Sequence, residues 1–499
     1  MKKARQSANV SRSSSLDLPE EALEQLSQQA SALVIEYFTR VSEMRVFPET
    51  TAGEVVRRLG AELPLEGESI EKLINDCRAI FDHSRHNGHP RFFGYVASPA
   101  TAPGAFADLI SSTLNANVTS WRSGTAATEV ERLVVRWLGA LVGFDDNAFG
   151  LLMSGGSLAN FTALLIAQRA SSHENVGRTG LWNQQTPMTI YASDQIHISI
   201  PKTADMLGIG RDHVRIVSTD DRLRMNVKAL SKAIETDLRA GFKPFCIVAS
   251  AGTVGTGAVD PLDEIASVAK DFGLWFHVDG AYGAPAFMDQ SKRHLFKGIE
   301  RADSLSLDAH KWLYTPIDAG CLLLRDELPA RQVFVGHDAD YIKVHEQSPE
   351  ESFAFWDHGL ELSRRFRALK IWLTLRYYGA RRIGASISED NSLAQYFGKQ
   401  ISAADDFELV APVELSICCF RYLPPSMRSS NVNETQLNDL NTRLMNAVQR
   451  SGEAYVSGAN VNGKVALRAC ITNFRTTRAD IDLTLEAIRN AANTLGAAA

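Results

Sequence analysis

The sequence predicts an α/β fold: a mostly parallel central sheet with helices on both faces. Two observations predict it. Between about Phe92 and Arg382, short apolar runs alternate with amphipathic stretches of helical period. The stretches between the runs carry helix start and stop residues at the spacings those signals need. Strand alternating with helix implies a largely parallel sheet, and such sheets bind ligands at the carboxyl ends of their strands. The length, 499 residues, allows one large domain with appendages, and the composition is ordinary for a globular chain, with 45% hydrophobic and 22% charged residues.

Residues 1–16 are rich in Ser, carry Lys2, Lys3, Arg5 and Arg12, and contain no acid. They read as a disordered tail, with no apolar stretch of the kind a secretory signal has. Asp17 and Pro19 suit the start of a helix in which Leu23, Leu26, Ala30, Leu33, Val34 and Tyr37 form one apolar stripe. That stripe is too apolar to stand free, so residues 17–91 are expected to be a helical segment packed on something else. Strands are expected at 189–191, 245–250, 275–278, 304–307 and 321–324. One helix runs through Leu230, Ile234 and Leu238 to a stop at Gly241. Another takes Asp260 as its N-cap, Pro261 as its first residue and Gly273 as its stop. The large domain is thus expected over 92–382.

After Arg382 the pattern changes. Strands are expected at 407–413 and 415–422, then a helix through Leu437, Leu440, Leu444 and Val448, then a strand at 465–471. A last helix starts near Thr477, where Thr477 and Asp480 have capping-box spacing. Residues 383–499 read as a small α+β domain.

The net charge, 52 − 58 = −6, gives no reason to expect a nucleic-acid partner. No apolar run approaches the roughly 18 residues of a membrane helix. The cysteines, Cys77, Cys246, Cys321, Cys418, Cys419 and Cys470, have no metal-ligand spacing and read as thiols in a reducing, cytoplasmic compartment. No metal is expected.

Five features fall in order at predicted strand ends. Ser154-Gly155-Gly156-Ser157 precedes an apolar helix, as an anion cradle does. His197 follows Ser193-Asp194-Gln195-Ile196, where a flat imidazole could stack on a planar ligand. Thr253 follows Gly252, where its hydroxyl could cap a helix or touch a ligand. Asp279 ends the strand Trp275-Phe276-His277-Val278, and a buried acid there needs a partner. Lys311 follows Asp308-Ala309-His310, at a site where burial is expected to depress its pKa, as a carbonyl-bonding amine requires. An anion cradle, a planar stacker, an acid and an amine on one sheet edge are what pyridoxal phosphate needs for its phosphate, ring, pyridine nitrogen and aldehyde.

These motifs resemble the group II amino-acid decarboxylases of the aspartate-aminotransferase fold (fold type I), and most of all their aromatic-L-amino-acid branch. The likeness rests on His-Val-Asp-Gly-Ala-Tyr around Asp279 and Asp-Ala-His-Lys-Trp-Leu around Lys311. It continues through Ser120-Trp121, Glu129, residues 154–157 and 193–197, Gly252-Thr253, Tyr341-Ile342-Lys343 and 362–370, over roughly residues 18–490. It implies decarboxylation of an L-amino acid on pyridoxal 5′-phosphate, in a homodimer with active sites at the subunit interface and residues 17–90 wrapped on the partner. Lys311 would bond the cofactor, Asp279 hold the pyridine proton and His197 stack on the ring. Gly155, Gly156, Ser157 and His310 would serve the phosphate, and Ala281 would pack under the ring. Tyr341, on a loop reaching across the dimer, would protonate the substrate carbon.

The sequence also departs from the family's pattern. Asn117 and Thr119 stand where aromatic-specific members tend to carry apolar residues, and Val254 replaces a common Thr. Phe93 and Tyr95 could line an aromatic pocket, and Ser363 sits where some members carry Ser and others Gly. A non-aromatic substrate, an aldehyde synthase, an aminotransferase and a non-catalytic scaffold are the alternatives. Tyr341 argues against the aldehyde synthase and the aminotransferase, and the retained Lys311, Asp279 and His197 against the scaffold.

Overall fold

A computed structural model describes residues 16–60, 62–145, 148–172, 176–181, 186–335, 348, 351–428 and 433–497. Its strands are β1 (Phe92–Phe93), β2 (Phe149–Met153), β3 (Met188–Ser193), β4 (Val214–Val217), β5 (Lys243–Ser250) and β6 (Trp275–Asp279). There follow β7 (Ser304–Asp308), β8 (Gly320–Leu324), β9 (Phe407–Leu409), β10 (Ile417–Tyr422), β11 (Tyr455–Val461) and β12 (Lys464–Cys470).

The central sheet has seven strands in the order β2-β8-β7-β6-β5-β3-β4. All its pairings are parallel except the two made by β8. The mostly parallel sheet read from the sequence is therefore present. Both of its faces are covered. Along β5, Cys246 and Val248 join one apolar cluster while Ile247 and Ala249 join another. Successive strand residues point to opposite faces, so β5 meets apolar packing on both. This explains why the strand sequences are apolar throughout. The parallel strands end together, which gathers Met153, Ser193, Ser250, Asp279 and Asp308 along one edge.

The second sheet, β1-β11-β12-β10-β9, is antiparallel but for the β1–β11 pair. Helices Ala380–Ala403, Glu434–Ser451 and Arg478–Ala497 accompany it. Thr477 and Asp480 do form the expected cap, with the Thr477 amide donating to Asp480 Oδ2 at 2.9 Å.

Three readings need correcting. Phe92 and Phe93, taken as the start of the large domain, belong to the second sheet, because β11 pairs with them. The helix Ala380–Ala403 runs across the boundary placed at Arg382. Asp260 does not cap the helix Leu262–Phe272: its buried carboxylate accepts from the Met225 and Ser250 amides, and Pro261 takes the cap position. Gly273 does stop that helix, in the left-handed region at φ 64°.

The N-terminal segment holds helices Glu20–Arg40, Ala52–Leu59 and Ile70–Asp82. The stripe of the first helix is only partly covered. Leu33 is buried, and Tyr37 meets the Phe81 ring at 5.1 Å, but Leu23 remains more than half exposed, as does Ile35 beside the stripe. The helix Ala102–Leu114 buries Gly104, Ala107 and Ser111 and turns Leu109, Ile110 and Leu114 outward.

Candidate active site at the strand edge

A cavity of about 400 Å³ opens at the carboxyl edge of the central sheet. Gly155, Gly156 and Ser157 form one wall, and His197, Thr253, Asp279, Ala281, His310 and Lys311 line the cavity too, together with Asn160 and Asp308. Nine residues singled out in the sequence thus share one cavity.

The glycine wall is the start of the helix Gly156–Ala170, and no side chain caps it. Its first amides and the helix dipole face an incoming anion. A Cβ on Gly156 would come within 2.9 Å of Ala281 Cβ and 3.0 Å of Asp308 Oδ2, so the wall tolerates only glycine there.

Asp279 is held by three donors. Asn160 Nδ2 reaches Oδ2 at 2.9 Å, while the Ala281 amide and Ser306 Oγ reach Oδ1 at 3.1 and 3.2 Å. A carboxylate can only accept, so the Asn160 amide must turn its NH2 toward it. That choice fixes the proton order of a longer chain. Asn160 Oδ1 faces His277 Nε2 at 3.0 Å, so His277 donates there. Its Nδ1 then accepts from Ser304 Oγ at 2.8 Å, and Ser304 Oγ accepts from Trp275 Nε1 at 2.9 Å. Burial drives the His277 pKa down to about 4, so the ring is neutral near pH 7, as this order requires. On the other side, Asn160 Nδ2 donates to Ser199 Oγ at 2.9 Å, and Ser199 Oγ lies 2.8 Å from His197 Nδ1. One asparagine therefore orients Asp279 directly and His197 through Ser199. Burial also pushes the His197 pKa below its ordinary value, which favours a neutral, flat ring at the cavity.

Lys311 Nζ points at Asp308 Oδ2, 2.8 Å away, with a side chain 23% exposed. Burial lowers its pKa, but the neighbouring Asp308 outweighs burial and the net direction is upward. The depressed amine expected from the sequence is overturned: desolvation is present, but a buried counter-ion came with it. His310 accepts the Ala319 amide on Nδ1 at 3.0 Å. Thr253 Oγ1 is taken up within its own loop, 3.1 Å from Thr256 Oγ1, and also accepts from the Ala258 amide at 3.2 Å.

The expected substrate contacts do not meet here. Phe93 is fully buried against the second sheet, near Phe397, because β1 is drawn into that sheet. Tyr95 is half exposed, its hydroxyl 3.2 Å from that of Tyr455. Asn117, Thr119 and Ser363 lie outside this chain's cavity. The two segments that carry them are instead joined to each other: Asn117 Oδ1 accepts the Arg364 amide and the Val118 amide donates to the Arg364 carbonyl, both at 2.8 Å. Tyr341 lies outside the described residues.

Sequence reading assigned no role to Asn160, Ser199, Ser306, Asp308 or Arg468. Arg468 on β12 donates to the Val254 and Tyr95 carbonyls at 2.8 and 2.6 Å, tying the second sheet to the cavity loop. Two signals were available. Asn160 sits one turn after Gly156, and Asp308 is an acid three residues before the lysine on a strand beside β6.

The uncapped helix start, the glycine-only wall, the preset carboxylate and the strand-tip amine fit pyridoxal phosphate. The comparisons agree. Residues 53–423 match the model of the pyridoxal-dependent decarboxylase conserved domain. An aromatic-L-amino-acid decarboxylase of Bacillus atrophaeus is 36% identical over 93% of this chain and 94% of its own. A phenylacetaldehyde synthase of Petunia hybrida is 31% identical over 91% of each chain. Among solved structures, Oryza sativa TDC with PLP and tryptamine superposes with a TM-score of 0.89 at 27% identity, covering 97% of this chain and 100% of that one.

Proposed function

The chain belongs to the pyridoxal-dependent decarboxylase family, and we propose that it converts an aromatic L-amino acid to its amine and CO2. The observation that carries the reaction is the cavity in which Lys311, Asp279, His197 and the glycine wall converge. The aromatic substrate is supported by the relatives, whose names include tyrosine and tryptophan decarboxylases. Pyridoxal phosphate, when bound, supplies an aldehyde for amines and a ring that takes up the electron pair left as CO2 departs.

The chain's own residues supply the rest. Lys311 Nζ is the amine that attaches the cofactor. Asp279 would keep a proton on the pyridine nitrogen, because three donors fix its carboxylate in place before any ligand arrives. His197 offers a flat wall for the ring. The first amides of the helix Gly156–Ala170, with Ser157 and His310, would hold the phosphate, and Ala281 would leave room for the ring. Tyr341 donates the proton to the substrate's Cα.

The active unit is a homodimer. Leu109, Ile110 and Leu114 are each more than half exposed on one helix face, and Leu23 and Ile35 add to the apolar surface of residues 17–91. Asn117, Thr119 and Ser363 sit together outside this chain's cavity, so as substrate contacts they serve the partner's cavity. The six cysteines stand unpaired, which suits a cytoplasmic protein.

The test is a panel of L-amino acids scored for CO2 and amine: tyrosine, dopa, phenylalanine and tryptophan against glutamate. Turnover confined to glutamate overturns the aromatic reading. Replacement Tyr341→Phe is expected to divert product from amine to aldehyde, with oxygen uptake and peroxide, because phenylalanine has no proton to give. Unchanged amine yield and rate would remove Tyr341 from its role. Sedimentation showing a monomer at micromolar concentration would exclude the dimer.

A further inference from the structure

The mechanism above uses Asp279 and leaves Asp308 without a task. Asp308 ends β7, beside the β6 tip, and its side chain is 3% exposed. Oδ2 carries the Lys311 ammonium at 2.8 Å. Oδ1 is buried and has no hydrogen-bond partner. Both oxygens face the glycine wall: Cβ positions built on Gly156 and Gly155 fall 3.0 Å from Oδ2 and 4.0 Å from Oδ1 respectively. A fixed carboxylate therefore stands in the wall of a cradle meant for an anion.

We propose that Asp308 and Lys311 form a charge latch on the phosphate cradle. The cradle accepts phosphate only while the Lys311 ammonium neutralises Asp308, so the phosphate docks before the amine gives up its proton. The proposal rests on the reading of this cavity as a pyridoxal-phosphate site.

The physics is that of like charges at close range. A phosphate seated on the first amides of the helix would lie beside Asp308, and a bare carboxylate there would repel it. With Nζ at 2.8 Å the pair is neutral overall, and the helix dipole again dominates. Oδ2, the oxygen that carries Lys311, is also the one nearer the glycine wall, and the buried Oδ1 has no hydrogen bond of its own to offset the charge. The other titratable groups around the pair are Asp279, His197, His310, Cys321 and Cys470. Of these, His197 and His310 are pushed toward neutrality by burial, and the two thiols are raised. Asp279 also favours the charged form of Lys311, after Asp308. Lys311 is shifted toward its charged form by Asp308, in keeping with a latch that is closed at rest.

The experiment is titration of the full-length, cofactor-stripped protein with inorganic phosphate, by calorimetry at constant pH. Circular dichroism checks that each variant is folded. Lys311→Ala exposes the Asp308 charge and is expected to weaken phosphate binding by roughly tenfold or more. Asp308→Asn alone should bind at least as well as the parent. The double variant Lys311→Ala/Asp308→Asn should recover the parent's affinity, although it lacks the cation. Recovery is the signature, since a lysine that simply contacts phosphate would leave the double variant as weak as the single. Parent binding without that recovery overturns the latch and leaves the cofactor reading intact. A parent that binds no phosphate overturns the cradle and the latch together.

Discussion

The tips of β6 and β7 lie side by side, and each carries a carboxylate, but the fold treats them in opposite ways. Asp279 is gripped by an amide, a hydroxyl and a backbone N–H. Asp308 carries Lys311 on Oδ2 at 2.8 Å, with the His310 ring farther off at 3.9 Å, and its other oxygen has no hydrogen bond. The first acid is aimed before any ligand arrives, so its charge acts at a fixed point without reorganisation. The second depends on whichever cation stands beside it. A single strand's displacement separates a preset acid from a conditional one.

The largest effect should come from the conditional tip. Lys311→Ala removes the attaching amine, and turnover should fall by on the order of 10³-fold or more. Borohydride reduction and peptide mapping of the parent should place the label on Lys311, and a label elsewhere would break the comparison. Next comes the preset tip. Asp279→Asn keeps the shape and loses the anion, and should cost on the order of 10²-fold in rate while some cofactor is retained. Near-normal turnover would mean that the charge at β6 is not used.

A smaller effect tests the grip itself. Asn160→Ala removes a donor from Asp279 and strands the buried His277 Nε2–H. A stranded buried donor costs about 1–3 kcal/mol, which a urea midpoint would register. Turnover should fall roughly tenfold through loss of aim. If stability drops while turnover holds, the other two donors suffice to aim Asp279.

The same contrast explains what was legible in the sequence. Lys311, Asp279 and His197 could be read because a polar residue ending an apolar strand is a local signal. The grip on Asp279 could not, because Asn160 lies 119 residues away and Ser306 lies 27 away on the neighbouring strand. Only the register Asp279↔Ser306 brings the latter pair together. The upward shift at Lys311 escaped for a similar reason: burial is predictable from a strand tip, but which neighbour shares it is not. Phe93 failed as a pocket residue because β1 pairs with β11, some 360 residues on, and no local pattern in Phe-Phe announces that. Asp260 reads as a cap by spacing, yet the amides of Ser250 and Met225 compete for it and win.

A third carboxylate acts on stability rather than on turnover, so its effect on the chemistry is the smallest, and it ties the β7 tip to the helix Ala380–Ala403. Asp390, buried on the helix Ala380–Ala403, accepts Trp312 Nε1 at 2.8 Å and Tyr314 Oη at 2.7 Å, on either side of the turn that follows Lys311. Burial raises its pKa to about 7, against the pull of those two donors. The sign follows from proton counting. Between about pH 4 and pH 7 the folded chain holds a proton on Asp390 that the unfolded chain has released. Stability from this group is therefore complete below the unfolded pKa and is lost as pH rises toward 7, by an amount on the order of 4 kcal/mol. Asp390→Asn keeps an acceptor for Trp312 and Tyr314 and has no proton to lose. The expected outcome is a urea midpoint that falls less between pH 5 and pH 8 in the variant than in the parent. A component of the tryptophan fluorescence that titrates near pH 7 should vanish with it, since the Trp312 indole donates to the titrating oxygen. Equal pH slopes in the two proteins would mean that Asp390 stays ionised across this range, and that the turn after Lys311 hangs on a charge after all.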